Sequence, residues 1–181
     1  MDSDRQDYYL TLSKLAFAKK NFSEAKKLID VVKDIPIKKK EDRDKFFVYL
    51  SSVSEKNGDF DTAIQILENY HNASESKGDK DQIYILSRLF HLYKGKGLSD
   101  KAIDTGKKLL ADYAGKYKLD KERYDLGELY LQNDNRDAAQ KVWKDLDKNS
   151  LWKKMAKNKL ESESWKQSAE NSMGRIPAMA K

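Results

Sequence analysis

Four stretches of this 181-residue chain repeat one order of apolar and polar positions. Each opens with a leucine: Leu12, Leu50, Leu89 and Leu126. Four residues on comes a small or aromatic residue: Ala16, Ser54, Tyr93 and Tyr130. A polar turn follows, then an alanine thirteen residues after the leucine: Ala25, Ala63, Ala102 and Ala139. The alanines lie 38, 39 and 37 residues apart, so all four copies share one register. Apolar residues at three- and four-residue steps on both sides of each turn predict a pair of amphipathic helices per copy. Gly58 and Gly97 suit left-handed helix ends. Ser23, Asp61, Ser99 and Asn135 supply or flank the starts of the second helices. The first helices are predicted over 4–19, 41–56, 80–95 and 120–133, and the second over 22–34, 60–77, 99–114 and 136–147.

Polar or Pro/Gly-bearing links separate the copies at Ile35–Lys40, Ser76–Asp81 and Gly115–Asp120. A ninth helix is predicted over about 150–172. Its apolar residues Trp152, Met155, Ala156, Leu160, Trp165 and Ala169 keep to one stripe, as a helix covering the open face of the last repeat requires. Residues Gly174–Lys181 read as a frayed end. The whole forms a single domain over 1–181, with repeats at about 4–40, 41–79, 80–119 and 120–149 and a capping helix.

These residues resemble the tetratricopeptide repeat (TPR) family, whose pattern places an aromatic, Leu-Gly and Tyr before a later Ala and large apolar residue. Leu126-Gly127 with Tyr130, Ala139 and Trp143 carries it most fully. Leu50, Gly58, Phe60, Ala63 and Leu67 come next. The third copy keeps Leu89, Tyr93, Gly97 and Ala102, but Phe90 stands where the family has a small residue and Gly106 where it has a large one. The first copy carries Tyr9, Leu12, Ser13, Ala16, Ala25 and Ile29. The period of 37–39 exceeds the family's 34. The resemblance implies an all-α fold, a TPR-like right-handed α-α superhelix or solenoid.

Composition narrows the chemistry. There is no Cys, which excludes thiolate metal sites, disulfides and cysteine nucleophiles, and there are only 2 His. No Walker, dinucleotide-binding or nucleophile-elbow motif is present. His71 and His91 read as groove-lining or exposed residues, and Asp59 and Asp61 as helix-start residues rather than a calcium loop. No catalytic, cofactor-binding or metal site is therefore expected, and the chain reads as a non-enzyme without cofactor. Lys+Arg number 36 against 30 Asp+Glu. The excess sits at the ends, +4 in residues 1–40 and +4 in 147–181, against −2 between. That distribution disfavours nucleic acid, which calls for one dense stripe. Lys38-Lys39-Lys40, followed by Glu41, Asp42 and Asp44, reads as a link and an acidic first turn.

No run of about 18 apolar residues exists, and the N-terminus MDSDRQD is not a secretory signal. The chain as given reads as cytoplasmic and bacterial in style, or periplasmic or elsewhere if it is a piece of a longer secreted protein. The resemblance implies that first-of-pair helices line a concave face that binds a peptide or protein. The residues set there are Leu10, Lys14, Phe17, Lys45, Val48, Ser52, Tyr84, Arg88, His91, Lys121, Tyr124, Glu128 and Leu131. Their mixture of apolar anchors and lysines fits an acidic partner with a few hydrophobic side chains. Places matching the family's chaperone-tail clamp hold Lys14, Tyr49 and Ser52 with no asparagine, which argues against that ligand. The expected function is a protein–protein interaction scaffold. The alternatives are a nucleic-acid-binding helical repeat, or a structural or regulatory module of a larger multi-repeat protein. A homodimer through the C-terminal helix is a further option.

Overall fold

The computed structural model describes residues 2–37, 40–72 and 78–173. Among them are nine helices and no strand: α1 (Asp2–Ala18), α2 (Phe22–Asp30), α3 (Lys40–Lys56), α4 (Phe60–Asn72), α5 (Asp79–Gly95), α6 (Ser99–Tyr113), α7 (Asp120–Gln132), α8 (Arg136–Lys144) and α9 (Leu151–Met173). The fold is all-α, as the repeat pattern predicts. Lys38, Lys39, Ala73–Lys77 and the frayed end expected at Gly174–Lys181 lie outside the described residues. α2 stops at Asp30 and gives way to turns over 31–34, and α8 stops at Lys144, short of the predicted 147; the predicted end of the fourth helix, 73–77, lies outside the described residues.

The repeat register has a backbone cause. Lys20, Gly58, Gly97 and Asp134 all have positive φ, at 60°, 84°, 72° and 57°. Each lies five residues before its alanine. In every copy the next amide reaches back five residues: Asn21 N to Ala16 O, Asp59 N to Ser54 O, Leu98 N to Tyr93 O and Asn135 N to Tyr130 O, all at 2.9 Å. This left-handed reversal satisfies the last carbonyls of the first helix. It leaves the following residue ready to start the second. Asn21 Oδ1 accepts from Glu24 N and Asn135 Oδ1 from Ala138 N, at 3.2 and 3.1 Å. Asp59 Oδ1 accepts from Thr62 N at 3.2 Å. The start residues are thus Asn21, Asp59 and Asn135, not Ser23 and Asp61. In the third copy an apolar residue, Leu98, holds that place.

Within the helix pairs the alanines mark close crossings. Ala25, Ala63, Ala102 and Ala139 are fully buried. The chain gathers into two compact units, Met1–Leu98 and Ser99–Lys181. In the first, α1 packs on α2 and α3 on α4, while α2 meets α3 and α4 meets α5. Ala25, Ile29, Val32, Phe46, Leu50 and Val53 form a core there. Ser13, the residue after the repeat leucine, is buried beneath it. Its hydroxyl donates to Ala25 O at 2.8 Å and meets the Tyr49 hydroxyl at 2.8 Å, so one small polar side chain ties α1 to α2 and α3. Burial raises the Tyr49 pKa, and the Ser13 bond partly offsets it.

In the second unit α7 packs on α6, α8 and α9. Tyr124, Ala139, Trp143, Leu146 and Ala156 form its core. Gly127 stands where the first two copies have Ser13 and Ser51. A methyl group there would lie 2.7 Å from Trp143 Cδ1 and closer still to Nε1 and Cε2 of the same indole. The indole N–H donates to Tyr124 O at 3.0 Å. Trp152, Ala156 and Leu160 of α9 pack inward as predicted. Lys153 Nζ donates to Trp143 O at 2.7 Å and Arg136 to Leu160 O at 3.2 Å. The predicted single stripe is nonetheless divided. Leu151, Met155 and Trp165 are 65%, 37% and 78% exposed, on the side of α9 away from that core. The Ala169 side chain lies outside the described set.

Candidate functional site

In the first unit the residues predicted for the face lie on the first-of-pair helices α1, α3 and α5. Lys14 is exposed, with Nζ 5.9 Å from the Tyr49 ring centroid. Phe17 meets Tyr49 edge-on at 5.8 Å and Phe22 at 5.2 Å. Leu10 is half-buried against the core, so only part of it is offered to solvent. On α3, Lys45 is exposed, Val48 and Ser52 are half-buried, and the Ser52 hydroxyl donates to Val48 O at 2.9 Å. Further along, Arg88 of α5 forms an ion pair with Glu55 of α3. The Arg88 guanidinium also lies 5.9 Å from the ring centroid of Tyr84, which is exposed. Arg88 Nε is buried without a hydrogen-bond partner. His91 is half-buried, its ring 5.2 Å from that of Phe90.

Two cation–aromatic pairs therefore stand on this side, Lys14 with Tyr49 and Arg88 with Tyr84. Each sets a cation beside an aromatic plane; Arg88 already holds the Glu55 carboxylate, whereas Lys14 is exposed. The sequence reading left Tyr49 out of the site. It followed the 45, 48, 52 stripe, and 45, 49, 52 is an equally good helical stripe. Its sign in the sequence was its place, with Lys14 and Ser52, among the positions matching the family's chaperone-tail clamp.

In the second unit α7 is arranged differently. Lys121 is exposed and pairs with Asp125 at 2.9 Å. Tyr124, read from the sequence as an apolar surface anchor, is a core residue. Its ring stacks on Trp143 at 5.6 Å and leans on Trp152 at 5.3 Å. Only its hydroxyl reaches outward, donating to Glu128 at 3.0 Å. Burial, and then the Glu128 charge and hydrogen bond, push the Tyr124 pKa up to about 12. Glu128 also lies 3.8 Å from Lys159 of α9, and Leu131 is half-buried against the core. α7 thus contributes charge to solvent and keeps its aromatic ring for packing.

Among the described residues no group of three or more His, Cys, Asp or Glu is placed to hold a metal ion. His71 Nδ1 is 2.9 Å from Gln82 Oε1. No described helix is long and apolar enough to cross a membrane.

Solved structures with this fold are TPR proteins. A tetratricopeptide repeat protein from Parabacteroides merdae superposes with a TM-score of 0.70 at 17% identity, over 96% of this chain and 68% of that one. TPR-like repeats of a putative kinesin light chain from Podosopora anserina give 0.68 at 15% identity, over 95% and 92%. MamA of AMB-1 gives 0.62 at 16% identity, over 99% and 95%. No protein-family model and no curated protein matches the sequence. The chain has the tetratricopeptide-type α-α repeat fold that its residues predicted.

Proposed function

We propose that this chain is a non-enzymatic protein-interaction scaffold, one domain over 1–181, that holds a partner peptide or protein on its first-of-pair helices. The observation that carries the reading is the pair of cation–aromatic sets on one unit, Lys14 with Tyr49 and Arg88 with Tyr84. The fold supports it, because stacked helix pairs present extended binding surfaces. The partner's chemistry follows from the side chains. Lys14 and Lys45 attract acidic groups, while Phe17, Val48 and Tyr84 accept apolar anchors. Lys121 and Leu131 of α7 offer the same two kinds of contact on the second unit. Tyr124 does not take part, since its ring is buried.

A homodimer through α9 is a second reading, favoured by Leu151, Met155 and Trp165 standing exposed on one helix. The test of the main reading is affinity capture from extract with the wild type beside a Lys14→Glu/Tyr84→Ala/Arg88→Glu variant whose folding is checked by circular dichroism. The scaffold reading expects a protein held by the wild type, lost by the variant, released by salt and indifferent to nuclease. Equal retention by both proteins excludes this face. Loss on nuclease treatment favours the nucleic-acid alternative.

A further inference from the structure

A cavity of about 310 Å³ opens in the first unit where the turn after α2 leads into α3. Ligand cavities begin at about this size, roughly 300 Å³, so the space suits a small molecule. Its apolar lining comes from Ile35, Ile37, Phe46 and Phe47. Phe46 belongs to the hydrophobic core and is almost wholly buried, and Ile35 and Ile37 pack against that core. The apolar part of the cavity is therefore built on a fixed base.

Its polar lining is mainly positive. Lys33 and Arg43 both border it, against the single carboxylate of Asp34. Lys33 has a loose ion pair with Asp30 at 3.6 Å. Arg43 is exposed, stands between Asp42 and Asp44 in the sequence, and lies within electrostatic reach of Tyr70. Apolar walls with cations at the edge match one kind of guest, an anionic head on an apolar body. The head gains from the cations, and the body removes apolar surface from water.

We infer that this cavity binds a small amphiphilic carboxylate, with the carboxylate at Arg43 and Lys33 and the apolar body against Phe46, Phe47, Ile35 and Ile37. The cavity shares no lining residue with the proposed partner-binding face, and the inference does not depend on that reading. The probe is octanoate, titrated into the full chain while the amide resonances of residues 33–37 and 43–47 are followed by NMR. Octanol serves as the uncharged control and inorganic phosphate as the anion without a tail.

Saturable shifts with octanoate, at least tenfold weaker with octanol and phosphate, are the expected result. Arg43→Glu should weaken octanoate binding at least tenfold, and Arg43→Lys should keep most of it. Melting followed by circular dichroism verifies folding, with Arg43→Gln taking the place of Arg43→Glu if that variant does not fold. The inference is overturned if octanol binds as well as octanoate, if phosphate alone binds as well, if no probe saturates, or if the charge-reversed or neutral variant binds octanoate like wild type.

Discussion

Replacing Gly127 by alanine adds one methyl group where Trp143 leaves no room for it. A carbon atom at that point would sit 2.7 Å from Trp143 Cδ1, against an ordinary carbon–carbon contact of about 3.5–4.0 Å. The overlap with Cδ1 is therefore about 1 Å, and it is larger at Nε1 and Cε2. The indole cannot simply move aside, because it is 2% exposed, stacks on Tyr124 and donates to Tyr124 O at 3.0 Å. Overpacking a filled core costs about 1–3 kcal/mol. Disturbing the indole hydrogen bond adds about 0.5–1.5 kcal/mol. Alanine returns about 1 kcal/mol through its better helix propensity. The net loss is about 2 kcal/mol, or roughly 4–8 °C in Tm for a chain of this size. Thermal unfolding by circular dichroism reads it. Gly95→Ala is the control, since a methyl group there meets nothing within 4 Å and should leave stability equal or slightly higher. In a Trp143→Phe background the cost of Gly127→Ala should shrink. A Gly127→Ala protein that melts with or above wild type would refute the close approach of α7 to Trp143.

The left-handed turns give a graded set: Lys20→Gly and Asp134→Gly should each stabilise by about 0.5–1 kcal/mol, and Gly58→Ala and Gly97→Ala should each cost about 1 kcal/mol in urea unfolding. The reverse order would separate the repeat register from backbone conformation. Ala63→Asp forces a charge into a fully buried helix crossing and should cost about 3 kcal/mol or more, so a variant melting within a degree or two of wild type contradicts that packing. Tyr93 donates to Glu68 at 2.5 Å, and burial followed by Glu68 raises its pKa, as burial and Asp44 do for Tyr70. Both phenols hold their protons in the folded chain above pH about 10, where an unfolded tyrosine releases them. Stability from them is full below pH 10 and falls as pH rises beyond it, so urea midpoints should drop between pH 9 and 11.5, and less steeply for Tyr93→Phe. Equal pH slopes for the two proteins would contradict this. Deleting residues 150–181 uncovers Tyr124 and Trp143 and should cause association or precipitation; a soluble, monomeric and equally stable product would assign α9 to a partner instead.

Helix positions were legible because every copy carries the same leucine and alanine, and a small residue at a crossing leaves a regular mark. The reversal at Gly58 and Gly97 was legible from residue type. At Lys20 it was not, because lysine disfavours positive φ, and Asp134, of a type that adopts it only occasionally, is a weaker mark than glycine. Only the five-residue spacing to Ala25 and Ala139 exposes them. Helix starts at Asn21 and Asp59 were masked by Ser23 and Asp61, which are equally good capping residues two places later. Tyr124 was misplaced for a different reason. A first-of-pair helix packs against several neighbours, so helical periodicity marks a stripe without telling which neighbour covers it, and here Trp143 and Trp152 cover the Tyr124 ring. The same ambiguity divided α9: Trp152 and Trp165 read as one stripe, yet the first packs on Tyr124 and the second faces solvent.

Side-chain oxidation footprinting of the chain, alone and with the captured partner, tests the central claim most directly. The scaffold account predicts that Phe17, Tyr49 and Tyr84 become protected while Leu151, Met155 and Trp165 keep their reactivity. Protection confined to the three α9 residues, with none on α1, α3 or α5, would contradict it.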